Sequence, residues 1–147
     1  MTKILNANEL EKCSEELVKF TISKCKKERN PKLVILVASD DKASEVYVRN
    51  KVKMGEKFGI DVVVEKFAMF VKDEEIKGVI EELNNDENVD GVMLQLPVYE
   101  HLDSEYLINQ ICPYKDVDGL TWFAKASLES NRLQMLPCTP LGVVNML

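Results

Sequence analysis

Three short apolar runs alternate along the chain with stretches of helical periodicity: Leu33-Val34-Ile35-Leu36-Val37-Ala38, Val62-Val63-Val64-Glu65-Lys66-Phe67 and Gly91-Val92-Met93-Leu94-Gln95-Leu96. The first is continuous and rich in branched residues, so it has no polar face to turn to water. Such a run suits a strand covered on both sides, as in a parallel sheet. Strands alternating with helices imply right-handed crossovers that place helices on both faces. The expected fold is α/β, a three-layer α/β/α sandwich with a small, mainly parallel sheet. With 147 residues, 46% hydrophobic and 30% charged, the chain can bury one real core, and one domain over 1–147 is expected.

Element boundaries follow from periodicity and capping. Leu10, Cys13, Leu17 and Thr21 recur at helical spacing over 8–28, and Asn30-Pro31 forbids continuation. A second helix is expected over 43–58, with Gly59 able to take a left-handed conformation at its end. Asp73 can cap a third helix whose Ile76, Val79, Ile80 and Leu83 form an apolar stripe, ended by the polar turn Asn84 to Asn88. Pro97 stops the third strand, a short helix is expected over 104–111, and an irregular stretch over 112–136. Thr139-Pro140 reads as an N-cap with proline at the first helical position, and Pro140 to Leu147 is expected to open an element that continues in a longer parent.

A formal charge of −6 and a pI near 4.9 argue against a nucleic-acid partner, which needs clustered basic surface. Lys24, Lys26, Lys27 and Arg29 read instead as the cationic end of a helix. The start, Met1 to Asn6, has no signal-peptide core and no stretch is apolar enough to span a bilayer, so a cytoplasmic location and no membrane partner are expected. Cys13, Cys25, Cys112 and Cys138 show no Cys-x-x-Cys spacing, and His101 is the single histidine, so no metal and no disulfide framework are expected. Cys13 and Cys25 read as small hydrophobes on the first helix.

Tyr47 and Lys51 stand four residues apart just after the first strand. On a helix this puts an aromatic face and an amine on one side, about 6 Å apart along the axis. In an open α/β sheet, ligands bind outside the carboxyl ends of the strands, where the first turns of such a helix lie. Gln95 is the polar residue at the carboxyl end of the third strand. A neutral amide beside Lys51 would orient the amine without fixing its proton, as a group working near neutral pH requires. In Lys115-Asp116-Val117-Asp118-Gly119, a lone carboxylate could grip two adjacent N–H donors of an aminopyrimidinone edge; two acids with no histidine nearby make a poor metal site. His101 lacks a nucleophile signature and does not suggest a triad. Tyr-x-x-x-Lys also occurs in short-chain dehydrogenases, but no Gly-x-Gly-x-x-Gly loop follows the first strand.

Together, Ala43-Ser44-x-x-Tyr47-Val48-x-x-Lys51, Val89 to Pro97, Lys115 to Gly119 and Pro137-Cys138-Thr139-Pro140 resemble the amino-terminal catalytic domain of the bifunctional methylenetetrahydrofolate dehydrogenase/cyclohydrolase family. The resemblance implies a site for tetrahydrofolate derivatives in which Tyr47 stacks on the folate, Lys51 is the central catalytic group, Gln95 supports it and Asp118 holds the pterin. Ser44, Leu96 and Pro97 fall in the same motifs and are expected to line the substrate. The implied reactions are NADP-dependent oxidation of 5,10-methylenetetrahydrofolate to the methenyl form and hydrolysis to 10-formyltetrahydrofolate. The family's NADP-binding Rossmann domain, which would follow the Pro-Cys-Thr-Pro helix, is not part of this chain, so no cofactor-binding residue is expected within it. The family is typically homodimeric. The chain departs from the family pattern at Ser39 and Lys42, and Ala124-Lys125-Ala126 replaces the usual Asn-x-Gly. An alternative expectation is a non-catalytic folate-binding or interaction domain of the same descent.

Overall fold

The computed structural model describes residues 7–24 and 29–130, together with 137 and 144. Its elements run α1 (Ala7–Lys24), β1 (Lys32–Val37), α2 (Lys42–Phe58), β2 (Asp61–Lys66), α3 (Asp73–Asn85), β3 (Gly91–Gln95), α4 (Ser104–Ile108) and α5 (Trp122–Glu129). The three strands pair in parallel in the order β2-β1-β3, with Ile35 of β1 opposite both Val64 and Met93.

Side chains of β1 alternate between two cores, as the pleat requires. Val34 and Leu36 point with Val92 and Leu94 into a core closed by Ile76 and Ile80 of α3 and Leu107 and Ile108 of α4. Ile35, Val37 and Met93 face the other way, against Val48 of α2. The expected three-layer arrangement follows from this central strand being buried on both faces. Because the chain leaves β1 toward β2 on one side and returns to β3 on the other, the strand order reverses at the carboxyl ends of β1 and β3. That switch point opens a crevice in such sheets.

Helix α2 is fixed at both ends. Asp41 caps it, its Oδ2 accepting the Ser44 N–H at 2.7 Å, and Gly59 ends it at φ 71° in the left-handed region expected for it. Gly55 lets the helix settle on β2, since a Cβ there would lie 2.2 Å from Val62 Cγ2.

The structure corrects several expectations. Asp73 is the first residue of α3, not its cap; the N-cap is Lys72, whose N–H is accepted by Glu75 at 3.1 Å, while Asp73 accepts the Asp103 N–H at 3.1 Å. Residues 112–136 are not wholly irregular. Thr121 accepts the Ala124 N–H through its hydroxyl and starts α5, and the substitutions Ala124 and Ala126 supply good helix formers there. On α1, Leu17 and Thr21 are exposed, because the helix lies outside the sheet layers and is held to α2 by the Lys57–Glu15 ion pair. Arg29 is not a helix-end cation; it pairs with Asp90 at 2.6 Å and donates to Glu87 O at 2.9 Å. The expectations for Cys25, Lys26, Lys27, Cys138 and the Thr139-Pro140 helix fall outside the described residues, as do the side chains of Leu10 and Cys13.

Candidate functional site

The carboxyl ends of β1 and β3 bring most of the sequence-predicted residues together. Lys51, one turn beyond Tyr47 on α2, donates from Nζ to Gln95 Oε1 at 3.0 Å and lies 3.6 Å from Met93 Sδ. Gln95 is 9% exposed, so it is a buried partner of the amine and not a strand-end residue facing solvent. Its amide nitrogen donates to Leu96 O at 2.7 Å, which fixes the amide so that its oxygen, not its nitrogen, faces Lys51. A buried glutamine with both ends satisfied is a stiff support for an amine.

Leu96 O accepts a second hydrogen bond, from Ser44 Oγ at 3.3 Å. Ser44 is buried, so its hydroxyl ties the start of α2 to the end of β3. The peptide bond from Leu96 to Pro97 is cis, and the Leu96 side chain is exposed at the rim. Tyr47 is 64% exposed, with its ring open to a ligand on the solvent side of α2.

Asp118 reaches the site from the loop after α4. Burial pushes its carboxyl up, the Lys51 ammonium pulls it back, and the neighbouring Asp116 charge raises it again. The loop runs beside β3, Val92 N–H donating to Lys115 O at 2.8 Å. It comes this close because Gly91 has no side chain: a Cβ there would lie 2.5 Å from Val117 Cγ1.

Sequence reasoning passed over Asp116 as an organiser. Its carboxylate, 3% exposed, accepts the N–H groups of Gly119 at 2.9 Å, Thr121 at 3.0 Å and Asp118 at 3.2 Å. Lys115 was also unassigned; its ammonium donates to Leu83 O at 2.7 Å and Asp86 O at 2.8 Å, closing the carboxyl end of α3. The available signal was the crowding of charges in a five-residue stretch with a glycine, which marks a structured turn. His101 sits apart from the site, its Nε2 2.8 Å from Val71 O and its ring stacked on Tyr99. Among the described residues no group of three or more His, Cys, Asp or Glu could hold a metal ion, and no helix is long and apolar enough to cross a membrane.

A lysine amine held by a buried amide at the switch point of a parallel sheet, with an exposed tyrosine one turn away on the same helix and a carboxyl group that feels the amine's charge, defines an α/β domain with its polar groups gathered at the carboxyl edge of the sheet. Residues 5–118 match the family described as tetrahydrofolate dehydrogenase/cyclohydrolase, catalytic domain, and the chain belongs to that family. It is 42% identical over 120 residues to the bifunctional protein FolD of Mesoplasma florum, covering 81% of this chain and 42% of that protein. The FolD protein of Limosilactobacillus reuteri is 36% identical over 151 positions, covering 100% of this chain and 53% of its own length. The crystal structure of the bifunctional FolD methylenetetrahydrofolate dehydrogenase/cyclohydrolase from Campylobacter jejuni superposes with a TM-score of 0.91 at 31% identity, covering 98% of this chain and 52% of that one. The chain therefore spans about half the length of the relatives it matches.

Proposed function

We propose that this chain binds tetrahydrofolate derivatives and carries the catalytic groups of a methylenetetrahydrofolate dehydrogenase/methenyltetrahydrofolate cyclohydrolase, working in the cytoplasm. The observation that carries the reading is the Lys51 to Gln95 contact at 3.0 Å at the carboxyl edge of β3. In this reading Tyr47 offers its exposed ring to the flat folate. Asp118, ionised, accepts two adjacent N–H groups of the pterin. Leu96 and Pro97 form the rim against which the substrate lies.

Hydride transfer in this family uses a nicotinamide dinucleotide, NADP in some relatives and NAD in others, and the described residues do not fit a dinucleotide. The β1–α2 turn carries Ser39, Asp40 and Asp41 instead of glycines, and the Asp41 carboxylate already fills the amino end of α2 where a pyrophosphate would sit. The chemistry assigned to this chain is hydrolysis of the methenyl bridge. Water adds to the electrophilic bridge carbon and releases one proton to leave a hydroxyl there; the carbon–nitrogen bond to the ring then breaks as that hydroxyl gives up its second proton and becomes the formyl carbonyl, and the ring nitrogen takes a proton. Lys51 moves these protons, and Gln95 Oε1 holds the amine so that its lone pair or remaining N–H points at the reacting atoms.

The test is methenyltetrahydrofolate hydrolysis followed by loss of its absorbance. Lys51→Met is expected to lower the rate by about 10²–10⁴-fold, while tetrahydrofolate binding by calorimetry changes little. An unaltered rate in Lys51→Met would sink the assignment. Binding by the wild-type chain without any hydrolysis would favour a non-catalytic folate-binding domain.

A further inference from the structure

We infer that Asp116 is a positioning residue for folate recognition: its buried carboxylate gathers the loop from Asp118 to Thr121 and so sets where the Asp118 carboxyl lies, within the field of the Lys51 ammonium. The inference rests on the reading of Asp118 as the pterin-binding carboxylate.

Three N–H groups converge on one side chain. Oδ1 accepts from Gly119 at 2.9 Å and Asp118 at 3.2 Å, and Oδ2 accepts from Thr121 at 3.0 Å. A chain turning tightly enough to aim these N–H groups at one carboxylate needs a left-handed residue, and Gly119 supplies it at φ 67°. The turn is anchored on both sides of Asp118. Upstream, Lys115 is fastened to the last carbonyls of α3 and to Val92 of β3. Downstream, Thr121 caps α5. With both ends fixed and Val117 packed on the core, the three amides gathered by Asp116 set the course of the backbone from Asp118 to Thr121, and a shift of an ångström there would carry Asp118 out of reach of a bound ring.

Asp116 acts on Asp118 by charge as well as by geometry. The charged groups acting on Asp118 are Lys51 from α2 and Asp116 from its own loop; β3, alongside, bears no titratable side chain. Removing the Asp116 charge makes Asp118 easier to ionise, because a like charge has gone.

The experiment uses the 147-residue chain with tetrahydrofolate, handled without oxygen, in calorimetric titrations from pH 4 to 8. Asp116→Asn is expected to weaken binding about tenfold at pH 7, because its NH₂ group faces the Thr121 N–H. It is also expected to move the acidic midpoint of binding to lower pH, which a merely structural loss would not do. In an Asp118→Asn background the same substitution is expected to add nothing. Undiminished binding, an unmoved midpoint or full additivity with Asp118→Asn overturns the inference. If Asp116→Asn does not fold, amide exchange in the wild-type protein decides: the Asp118, Gly119 and Thr121 amides are expected to be protected, and free exchange refutes the role. Failure of the wild-type chain to bind tetrahydrofolate would instead remove the folate reading itself.

Discussion

Gly91→Ala couples the fold to the site in a single atom. The new Cβ would stand 2.5 Å from Val117 Cγ1 and 3.4 Å from Leu33 Cδ1. Carbon atoms pack at about 3.5–4.0 Å, so Val117 must retreat by roughly 1 Å or more. Valine is stiff at χ1 and its Cβ lies 3.8 Å away, so the displacement passes into the backbone between Asp116 and Asp118. Overpacking of this kind costs about 1–3 kcal/mol, which in a chain of this size lowers the melting temperature by roughly 3–10 °C. Tetrahydrofolate affinity is expected to fall with it, because the displaced segment carries Asp118. Val117→Ala makes room, so the double variant Gly91→Ala/Val117→Ala is expected to be more stable than the sum of the single effects by about 1 kcal/mol or more. Thermal melts and calorimetry on the four proteins close the cycle. A Gly91→Ala protein with wild-type melting and affinity, or strict additivity, would refute the claim that this glycine exists to admit the loop.

Other outcomes follow from the same contacts. Burial raises the Asp118 carboxyl, so between its ordinary and its raised pKa the folded chain holds a proton that the unfolded chain has released. Stability from this group is present at low pH and lost as pH climbs through that window, while folate binding, which in the proposed role of Asp118 uses the carboxylate, is expected to rise across it. Asp118→Asn is therefore expected to melt higher than wild type at pH 7 and to bind tetrahydrofolate at least about tenfold more weakly; a variant that melts lower contradicts the sign. Lys115→Met leaves Leu83 O and Asp86 O without their cation and is expected to cost about 1.5–3 kcal/mol in urea unfolding. An unchanged midpoint would show that water serves those carbonyls equally well.

Much of this architecture could be read from the chain. The branched run Leu33 to Ala38 suited a strand covered on both faces and supplies most of β1, and the stripe Ile76, Val79, Ile80, Leu83 marked the inner face of a helix. Helix α5 was not legible because eight residues carry barely two turns of periodicity, and Trp122 and Phe123 lie exposed at its start. The capping of α3 was misread by one position because Asp73 had a competing partner, the Asp103 N–H, thirty residues away. Leu17 marks α1 by its spacing yet lies exposed, because periodicity reports an apolar stripe but not whether another layer lies against it.

The same division runs through the site. Local order along the sequence determined the strands and helices, the parallel sheet, the placing of Tyr47 and Lys51 on one helix face, and the family motifs. Those signals depend on neighbours within a few residues, where spacing alone dictates which side chains share a face. Tertiary structure decided that Lys51 meets Gln95 across 44 residues, that Leu96 O joins Ser44 to Gln95, and that Asp116 turns inward to collect three amides. Hydrogen bonds between distant segments depend on where the sheet order and the turns deliver each group, and a carboxylate written in the sequence carries no mark of whether it will meet a ligand or its own backbone.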